Sequence, residues 1–240
     1  MLLRLQNAAA SMSELAQRQD RVANNLANVN TVGYKRDRAF AQALDERIDA
    51  DGAPRSLRDS GQWADLSGGA MVETGNPLDL AIAGDGFFQV RTPDGQTRLT
   101  RAGEFLLDAD GVVRSPSGLE LLGTDGQPIT LPPSGGEIAI HASGEIRIGG
   151  VRAGEVGVVT VADPAALVRL DGATWDTAGQ ATAPAAGARV QQGMLESANV
   201  DPLAEMTELI AHVRLFESQQ KSLQTTDEVL GAATRDLGTF

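Results

Sequence analysis

Hydrophobic residues recur at alternating intervals of three and four near both ends of the chain. In the first thirty residues the series occupies positions 5, 8, 12, 15, 19, 22, 26 and 29, and only Gln19 in it is polar. A second series occupies positions 206, 209, 213, 216, 220, 223, 227 and 230, where Gln220 and Asp227 interrupt it. This spacing places apolar side chains in a narrow seam along a helix. Each end therefore predicts a coiled-coil-like helix, and Asp201 followed by Pro202 is a typical start for the second one.

Three packing partners are possible for the apolar seams of these helices. The stripe of a single amphipathic helix usually packs against the protein's own core. Two seams at opposite ends favour pairing with each other, and pairing with other subunits is a further alternative. Residues 1–40 carry six Lys/Arg and three Asp/Glu, a net charge of +3, whereas residues 200–240 carry three and seven, a net charge of −4. Opposite charges would steer the two ends together, although solvated faces explain them as well.

The middle of the chain has the pattern of short strands. Apolar or alternating runs follow one another from Leu78 to Val161, and Gly-containing turn sequences such as "PDG", "DADG" and "ASG" separate them. This spacing is typical of an antiparallel sandwich or irregular barrel. The runs are "LDLAIA", "FFQVR", "EFLL", "GVVRS", "LELLG", "EIAIH", "EIRIG" and "VGVVTV".

The predicted fold class is therefore α+β, with an antiparallel all-β domain inserted between the halves of a helical domain. Residues 1–35 and 190–240 are predicted to form the terminal helical domain, and residues 78–170 the β-domain. Residues 36–77 and 171–189, which are polar and rich in glycine or alanine, are predicted to be extended connectors.

Composition narrows the function classes. The formal net charge of −12 disfavours nucleic acid as a partner for the whole chain. The chain has no cysteine, so disulfides and thiolate metal sites are excluded. The first twenty residues lack a basic region followed by a sustained apolar run, and we expect no cleavable secretory signal. No window is apolar enough for a membrane span, and insertion into a membrane is not expected.

Candidate chemistry is sparse. The two histidines, His141 and His212, lie in no cluster with metal-ligand spacing. "GDGFFQ" at 84–89 has Gln89 where a dinucleotide loop needs its third glycine, and "DADG" at 108–111 lacks the later ligands of a calcium loop. We therefore expect no enzyme activity, no catalytic residue, no metal and no cofactor.

Three segments of the sequence resemble the flagellar basal-body rod and hook protein family. They are "RVANNLANVNTVGYKRD" (21–37), "TGNPLDLAIAGDGFFQVRTPDGQTRLTRAGEFLLDADGVV" (74–113) and "VQQGMLESANVDPLAEMTELIAHVRLFESQQKSLQTTDEVL" (190–230). Together they cover about half of the chain and occur in the family's order. The length, "NVDPLAEM" and the ending "LFESQQ…AATRDL" favour a proximal-rod member over a distal-rod member. Leu99 departs from the family, where an aromatic residue usually precedes "TR", and this departure concerns one local packing contact.

The resemblance implies a structural function. Members are exported by the flagellar type III system without signal cleavage and assemble in the periplasm into a hollow rod that transmits torque from the inner-membrane ring to the distal rod and hook. The expected partners are other copies of the chain, other rod proteins, and the inner-membrane ring and export apparatus. A monomeric ligand-binding module and a cell-wall hydrolase are the alternatives from other classes.

The expected assembly interface combines the two seams with the asparagine-rich end of the first helix. Asparagine is unfavourable inside helices, but its amide can bond exposed carbonyls or neighbouring chains, and an ordinary frayed helix end is the alternative. A basic cluster, Lys35, Arg36 and Arg38, is expected to face acidic residues of a neighbouring subunit. The expected interface residues are Leu5, Met12, Leu15, Val22, Asn24, Asn25, Leu26, Asn28, Val29, Asn30, Gly33, Tyr34, Lys35, Met206, Leu209, Val213, Phe216, Leu223 and Leu230.

Overall fold

The computed structural model describes residues 2–38, 63–132 and 136–237. The chain divides into two compact units. One unit comprises residues 1–27 and 201–240, and the other comprises residues 28–200. The described structure is α+β, with two long helices and a large antiparallel β part, as the sequence predicts.

The first unit consists of two helices, α1 (Leu2–Ala27) and α2 (Pro202–Leu237), which pack against each other. The predicted start of α2 is confirmed. The Asp201 carboxylate accepts hydrogen bonds from the backbone N–H groups of Leu203 at 2.9 Å and Ala204 at 3.2 Å. Two of the N–H groups that a helix start leaves without an intrahelical partner are thereby satisfied.

The seam of α1 is only partly the predicted one. Leu15 and Val22 are buried, whereas Met12 and Leu26 are half-buried. Val29, predicted within the seam, lies in the turn that follows the end of α1 at Ala27. Asn25, next to Leu26, is 2% exposed. The seam residue Leu5 precedes the part of α1 whose side chains are described.

The seam of α2 also differs from the prediction. Leu209, Val213, Phe216 and Leu223 are half-buried, but Met206 is 48% exposed. Glu205, the residue before it, is 1% exposed. The helix therefore turns a polar residue inward where the pattern predicts a methionine. The seam residue Leu230 lies beyond the part of α2 whose side chains are described.

The second unit contains eighteen short strands within the described residues, and all of their pairings are antiparallel. A 3₁₀ helix, Pro164–Ala166, lies between β13 and β14. The strands are β1 (Asp37–Arg38), β2 (Trp63–Ala64), β3 (Met71–Glu73), β4 (Leu80–Ala83), β5 (Phe87–Arg91), β6 (Thr97–Thr100), β7 (Leu106–Leu107), β8 (Val113–Arg114), β9 (Glu120–Leu121), β10 (Ile138–Ile140), β11 (Glu145–Ile148), β12 (Val151–Glu155), β13 (Val158–Val161), β14 (Val168–Asp171), β15 (Thr174–Asp176), β16 (Thr182–Pro184), β17 (Arg189–Gln192) and β18 (Met194–Glu196).

The largest sheet has nine strands and is organised around β5. One path through it runs β14-β15-β6-β5-β9-β8-β7, and β13 pairs with both β5 and β16. Strands β10, β11 and β12 form a separate meander, and three two-stranded ladders join β1 to β2, β3 to β18 and β4 to β17. The last two ladders bring residues 189–196 beside residues 71–83, so they tie the late part of the chain to the early part.

Two hydrophobic clusters fill this unit. The larger one includes Phe88 and Phe105, whose rings meet edge to face with centroids 5.6 Å apart. The smaller one surrounds Leu99, which is fully buried and pairs in register with Trp175. The position that departs from the family is thus a well-packed core position in this chain.

The predicted connectors need correction. Residues 171–189, predicted to be an extended connector, contain β15 and β16 and belong to the β-rich unit. Strands β17 and β18, predicted within the helical domain, belong to it as well. Glycine and small polar residues give these segments a weak strand preference, which pairing overrides. Strand β15 pairs with β14 and β6, β16 with β13, β17 with β4 and β18 with β3. In the other predicted connector, residues 39–62 lie outside the described part of the chain.

We predict that Leu99→Ala lowers the free energy of unfolding by about 2–5 kcal/mol, because it leaves a cavity in a packed core. Leu106→Ala, at an exposed site in β7, is the matched control and should change it by less than about 0.5 kcal/mol. Urea unfolding followed by tryptophan fluorescence measures both. Equal effects of the two substitutions would contradict the assignment of Leu99 to the core.

Candidate functional site

The segment that follows α1 makes a close turn into the β-rich unit. Thr31 donates its backbone N–H to the Asn28 carbonyl at 3.0 Å, and its hydroxyl donates to the Asn28 side-chain oxygen at 3.1 Å. Gly33 then adopts a φ of +67°. A Cβ at Gly33 would lie 2.3 Å from the backbone of Arg101 and Ala102. Only glycine fits this backbone conformation and this approach together.

A buried carboxylate receives this segment. Glu196, the last residue of β18, is fully buried, and its backbone carbonyl accepts the Gly33 N–H at 2.7 Å. One carboxylate oxygen accepts from Lys35 Nζ at 2.5 Å and from the Gly69 N–H at 2.8 Å. The other oxygen accepts from Arg101 Nη1 at 3.2 Å. Glu196 therefore joins three segments that are far apart in the sequence.

Both cations have further acceptors among backbone carbonyls. Lys35 Nζ also donates to the Ser67 carbonyl at 2.6 Å. The Arg101 guanidinium donates to the carbonyls of Ile82 at 3.3 Å and Gly84 at 2.8 Å. Buried charges are tolerated only when they are paired and hydrogen-bonded in this way. We refer to Lys35, Arg101 and Glu196 together as the charge cluster.

Asn199 joins the same segments through its amide. Its side-chain oxygen accepts from the Arg36 N–H at 2.7 Å. Its side-chain nitrogen donates to the carbonyls of Asp65 at 2.8 Å and Ser67 at 3.1 Å. Its own backbone N–H donates to the Tyr34 carbonyl at 3.4 Å. Residues 34–36, 65–67 and 196–199 are thus linked by both charged and neutral hydrogen bonds.

A third cation, Arg169, lies on the outer side of the same segment. The Arg169 guanidinium lies between the rings of Tyr34 and Trp175, 4.5 Å and 4.3 Å from their centroids. It forms an ion pair with Asp37 at 3.1 Å and donates hydrogen bonds to the carbonyls of Lys35 and Gly172. Cation–π stacking and charge pairing together fix the β14–β15 hairpin against residues 34–37.

The pKa values of two groups are shifted at this site. Burial lowers the pKa of Lys35, and this effect exceeds the opposing hydrogen bond and charge of Glu196. Burial by itself would raise the pKa of Asp65. Hydrogen bonds from Ser67 and the charges of Arg38 and Lys35 outweigh it and lower that pKa.

The structure changes the interpretation of the basic cluster. Lys35 is 1% exposed and Tyr34 is buried, so neither offers a surface to a neighbouring subunit. Lys35 pairs with Glu196 of the same chain, and Arg38 lies 3.9 Å from Asp65 and over the Trp63 ring. The expectation that Lys35 faces an acidic patch on a neighbour is therefore wrong, because its charge is already neutralised internally.

The four predicted asparagines separate by environment. Asn25 is buried and hydrogen-bonded to Glu205 of the same chain, while Asn28 shapes the turn after α1. Asn24 and Asn30 are exposed. The helices α1 and α2 pack against each other, but Met206 of the predicted seam is exposed. The residues that sequence reasoning missed are Arg101, Glu196 and Asn199, and the one signal was their place in the segments "RLTRAGEF" and "MLESANVD" that carry the resemblance.

Comparison with known proteins identifies the family. Three family models match in chain order: a flagella basal body rod protein model at residues 5–35, the flagellar hook protein FlgE/F/G D1 domain at 81–148, and the C-terminal region of the flagellar basal body rod FlgEFG proteins at 191–236. The flagellar basal-body rod protein FlgF of Caulobacter vibrioides is 33% identical over 91% of each chain. The rod protein FlgG of Bacillus subtilis is 32% identical over 96% of this chain and 97% of its own.

The chain belongs to the flagellar basal-body rod protein family. A second FlgF, from Mesorhizobium japonicum, is 33% identical over 96% of each chain. Each member of the charge cluster lies in a different matched segment: Lys35 in the first, Arg101 in the second and Glu196 in the third. The cluster thus connects the three regions by which the family is defined.

The family is structural and not enzymatic, as the sequence analysis expected. Within the residues described, no group of acidic or histidine side chains is arranged to hold a metal ion. Neither described helix has a stretch long and apolar enough to cross a membrane.

We predict that Glu196→Ala lowers the free energy of unfolding by about 3–5 kcal/mol, because it leaves two buried cations without their anion. Glu155→Ala is the matched control, since Glu155 makes an exposed ion pair with Arg152, and its effect should stay below about 1 kcal/mol. Chemical unfolding of both variants measures the two changes in the free energy of unfolding. A loss of less than 1 kcal/mol in Glu196→Ala would show that the charge cluster is not a stabilising centre.

We also predict that Gly33→Ala destabilises the protein more than Gly95→Ala does. Both glycines have a positive φ, but a Cβ at Gly95 meets nothing within 4 Å. Gly95→Ala should therefore cost only the backbone strain, about 1–2 kcal/mol. Thermal unfolding compares them, and equal shifts in Tm would mean that the approach of Gly33 to residues 101–102 can relax freely.

Proposed function

We propose that the chain is a structural subunit of the flagellar basal-body rod, of the FlgF type that forms its proximal part. The observation that carries the proposal is the match to FlgF proteins along nearly the whole of both chains. The chain's length, "NVDPLAEM" and the ending "LFESQQ…AATRDL" further favour FlgF. A FlgG-type distal-rod subunit is the alternative, since FlgG of Bacillus subtilis is almost as similar.

In this proposal the subunit acts mechanically, as part of a polymer that transmits torque. Open helical polymers form when one face of a subunit binds a different face of the next. The helices pack along the axis as a coiled-coil inner tube, and the β-rich units form an outer layer. The resulting hollow shaft transmits torque from the inner-membrane ring to the distal rod and hook. The subunit reaches the periplasm through the flagellar type III export apparatus, and its partners are copies of itself and other rod proteins.

An exposed apolar stripe on α2 supports a subunit contact. Leu203, Met206 and Ile210 are 74%, 48% and 55% exposed. Their spacing of three and four places them on one face of the helix. Leu209, Phe216 and Leu223, which are half-buried, lie on another face. A helix with two apolar faces is typical of a bundle that has more than two helices.

The assembly interface is accordingly revised. It retains the seam residues of both helices and the exposed asparagines Asn24 and Asn30, and it adds Leu203 and Ile210. Tyr34, Lys35 and Gly33 act inside the β-rich unit, where they fix the path of the chain.

We predict that Ile210→Asp abolishes swimming while the chain remains folded and exported. A charge on the exposed stripe costs little in the single chain, but it must be desolvated in a packed helix interface. Leu215→Asp, on a different face of α2 and 48% exposed, is the matched control and should preserve more motility. Swimming-plate assays and circular dichroism give the readouts.

The assignment itself is tested in strains that lack either rod protein. The chain should restore rods to a strain without FlgF and not to one without FlgG, as seen by electron cryomicroscopy of basal bodies. Restoration of neither strain, from a chain that is exported, would count against a rod function.

A further inference from the structure

Two pairs of polar side chains are hydrogen-bonded between α1 and α2. Asn25 Nδ2 donates to the Glu205 carboxylate at 3.3 Å, and both side chains are buried. Ser11 and Gln219 are hydrogen-bonded at 3.3–3.4 Å between the hydroxyl and the amide. The residue numbers 25 and 205 sum to 230, and so do 11 and 219. Both pairs therefore belong to one antiparallel alignment of the helices.

The apolar residues do not select this alignment by themselves. A seam with alternating spacings of three and four repeats every seven residues, so a slip of one repeat again places apolar side chains in contact. The polar residues behave differently. Ser11 and Asn25 are two repeats apart on α1, and Glu205 and Gln219 are two repeats apart on α2.

We propose that the Asn25–Glu205 pair, supported by Ser11–Gln219, selects the register of the helix pair. A slip of seven residues one way places Asn25 opposite His212 and carries Glu205 past the end of α1. A slip the other way places Glu205 opposite Arg18 and carries Asn25 past the start of α2, so the slip separates both polar pairs in either direction. The buried Glu205 carboxylate then loses the Asn25 amide, so only the observed register satisfies both pairs. Polar residues in apolar helix seams are known to specify register at a cost in stability.

Cysteine cross-linking tests the register without interference from native thiols, because the chain has no cysteine. Arg18→Cys with His212→Cys reports the observed register, since this pair also sums to 230 and lies midway between the two polar pairs. Ser11→Cys with His212→Cys and Arg18→Cys with Gln219→Cys report slips of one repeat in the two directions. Each of these two reporters replaces one member of the Ser11–Gln219 pair, so they test register selection by Asn25–Glu205 alone. Each pair is oxidised at low protein concentration in the full chain, and the cross-linked monomer is quantified on non-reducing gels and by mass spectrometry.

With Asn25 and Glu205 in place, we expect efficient cross-linking of the 18/212 pair alone. In the Asn25→Leu, Glu205→Leu background, we expect the slipped pairs to cross-link at least several-fold more. If the apolar background still cross-links only the 18/212 pair, the chain connections set the register and the proposal is wrong.

A second double variant distinguishes a change of helix register from a loss of folding. Asn25→Glu with Glu205→Asn exchanges the two side chains and retains an amide–carboxylate pair. It should restore cross-linking to the 18/212 pair, while circular dichroism shows the same helix content in all three backgrounds. Slipped cross-links as abundant as in the apolar background would overturn the proposal, because the pair would then carry no register information.

Discussion

Burial of the Glu196 carboxylate between two cations is the constraint on which the path of the chain depends. One carboxylate balances only one of the charges of Lys35 and Arg101. Three backbone carbonyl oxygens, each within hydrogen-bonding distance of a cation, supply the remaining negative potential. A buried cluster of this kind stabilises only as a whole, because removing one member leaves the others desolvated without compensation.

This dependence explains why so many local features converge on the same place. Gly33 permits the backbone of the first segment to approach Arg101 closely enough for the Glu196 carbonyl to accept its N–H. Asn199 and Arg169 hold the same segment from two other directions, one through amide hydrogen bonds and the other through stacked rings. Each of these contacts forms only when residues 33–37 follow this one backbone path.

The sequence predicts those parts of the fold that arise from local periodicity. Both helices, the start of α2 at Asp201 and most strands from residues 80 to 161 follow from patterns within a few residues. The charge cluster could not be predicted in this way, because Lys35 and Glu196 are 161 residues apart and nothing near Lys35 distinguishes a buried cation from a solvated one. The strands within 171–189 were missed for a related reason. Their residues have weak strand preference, and pairing with β14, β6 and β13 overrides it.

On α2 the burial of side chains differs from the burial that the hydrophobic pattern predicts. The sequence merges Met206 and Leu209 into one seam, but the structure turns Glu205 inward and leaves Met206 exposed. The helix pair therefore uses a polar contact where a more apolar one was available nearby, at a cost in stability for the single chain. The same rotation of the helix leaves Met206 in line with Leu203 and Ile210 on an open face. The same helix orientation thus places Glu205 against Asn25 of α1 and leaves the apolar side chains of Leu203, Met206 and Ile210 exposed.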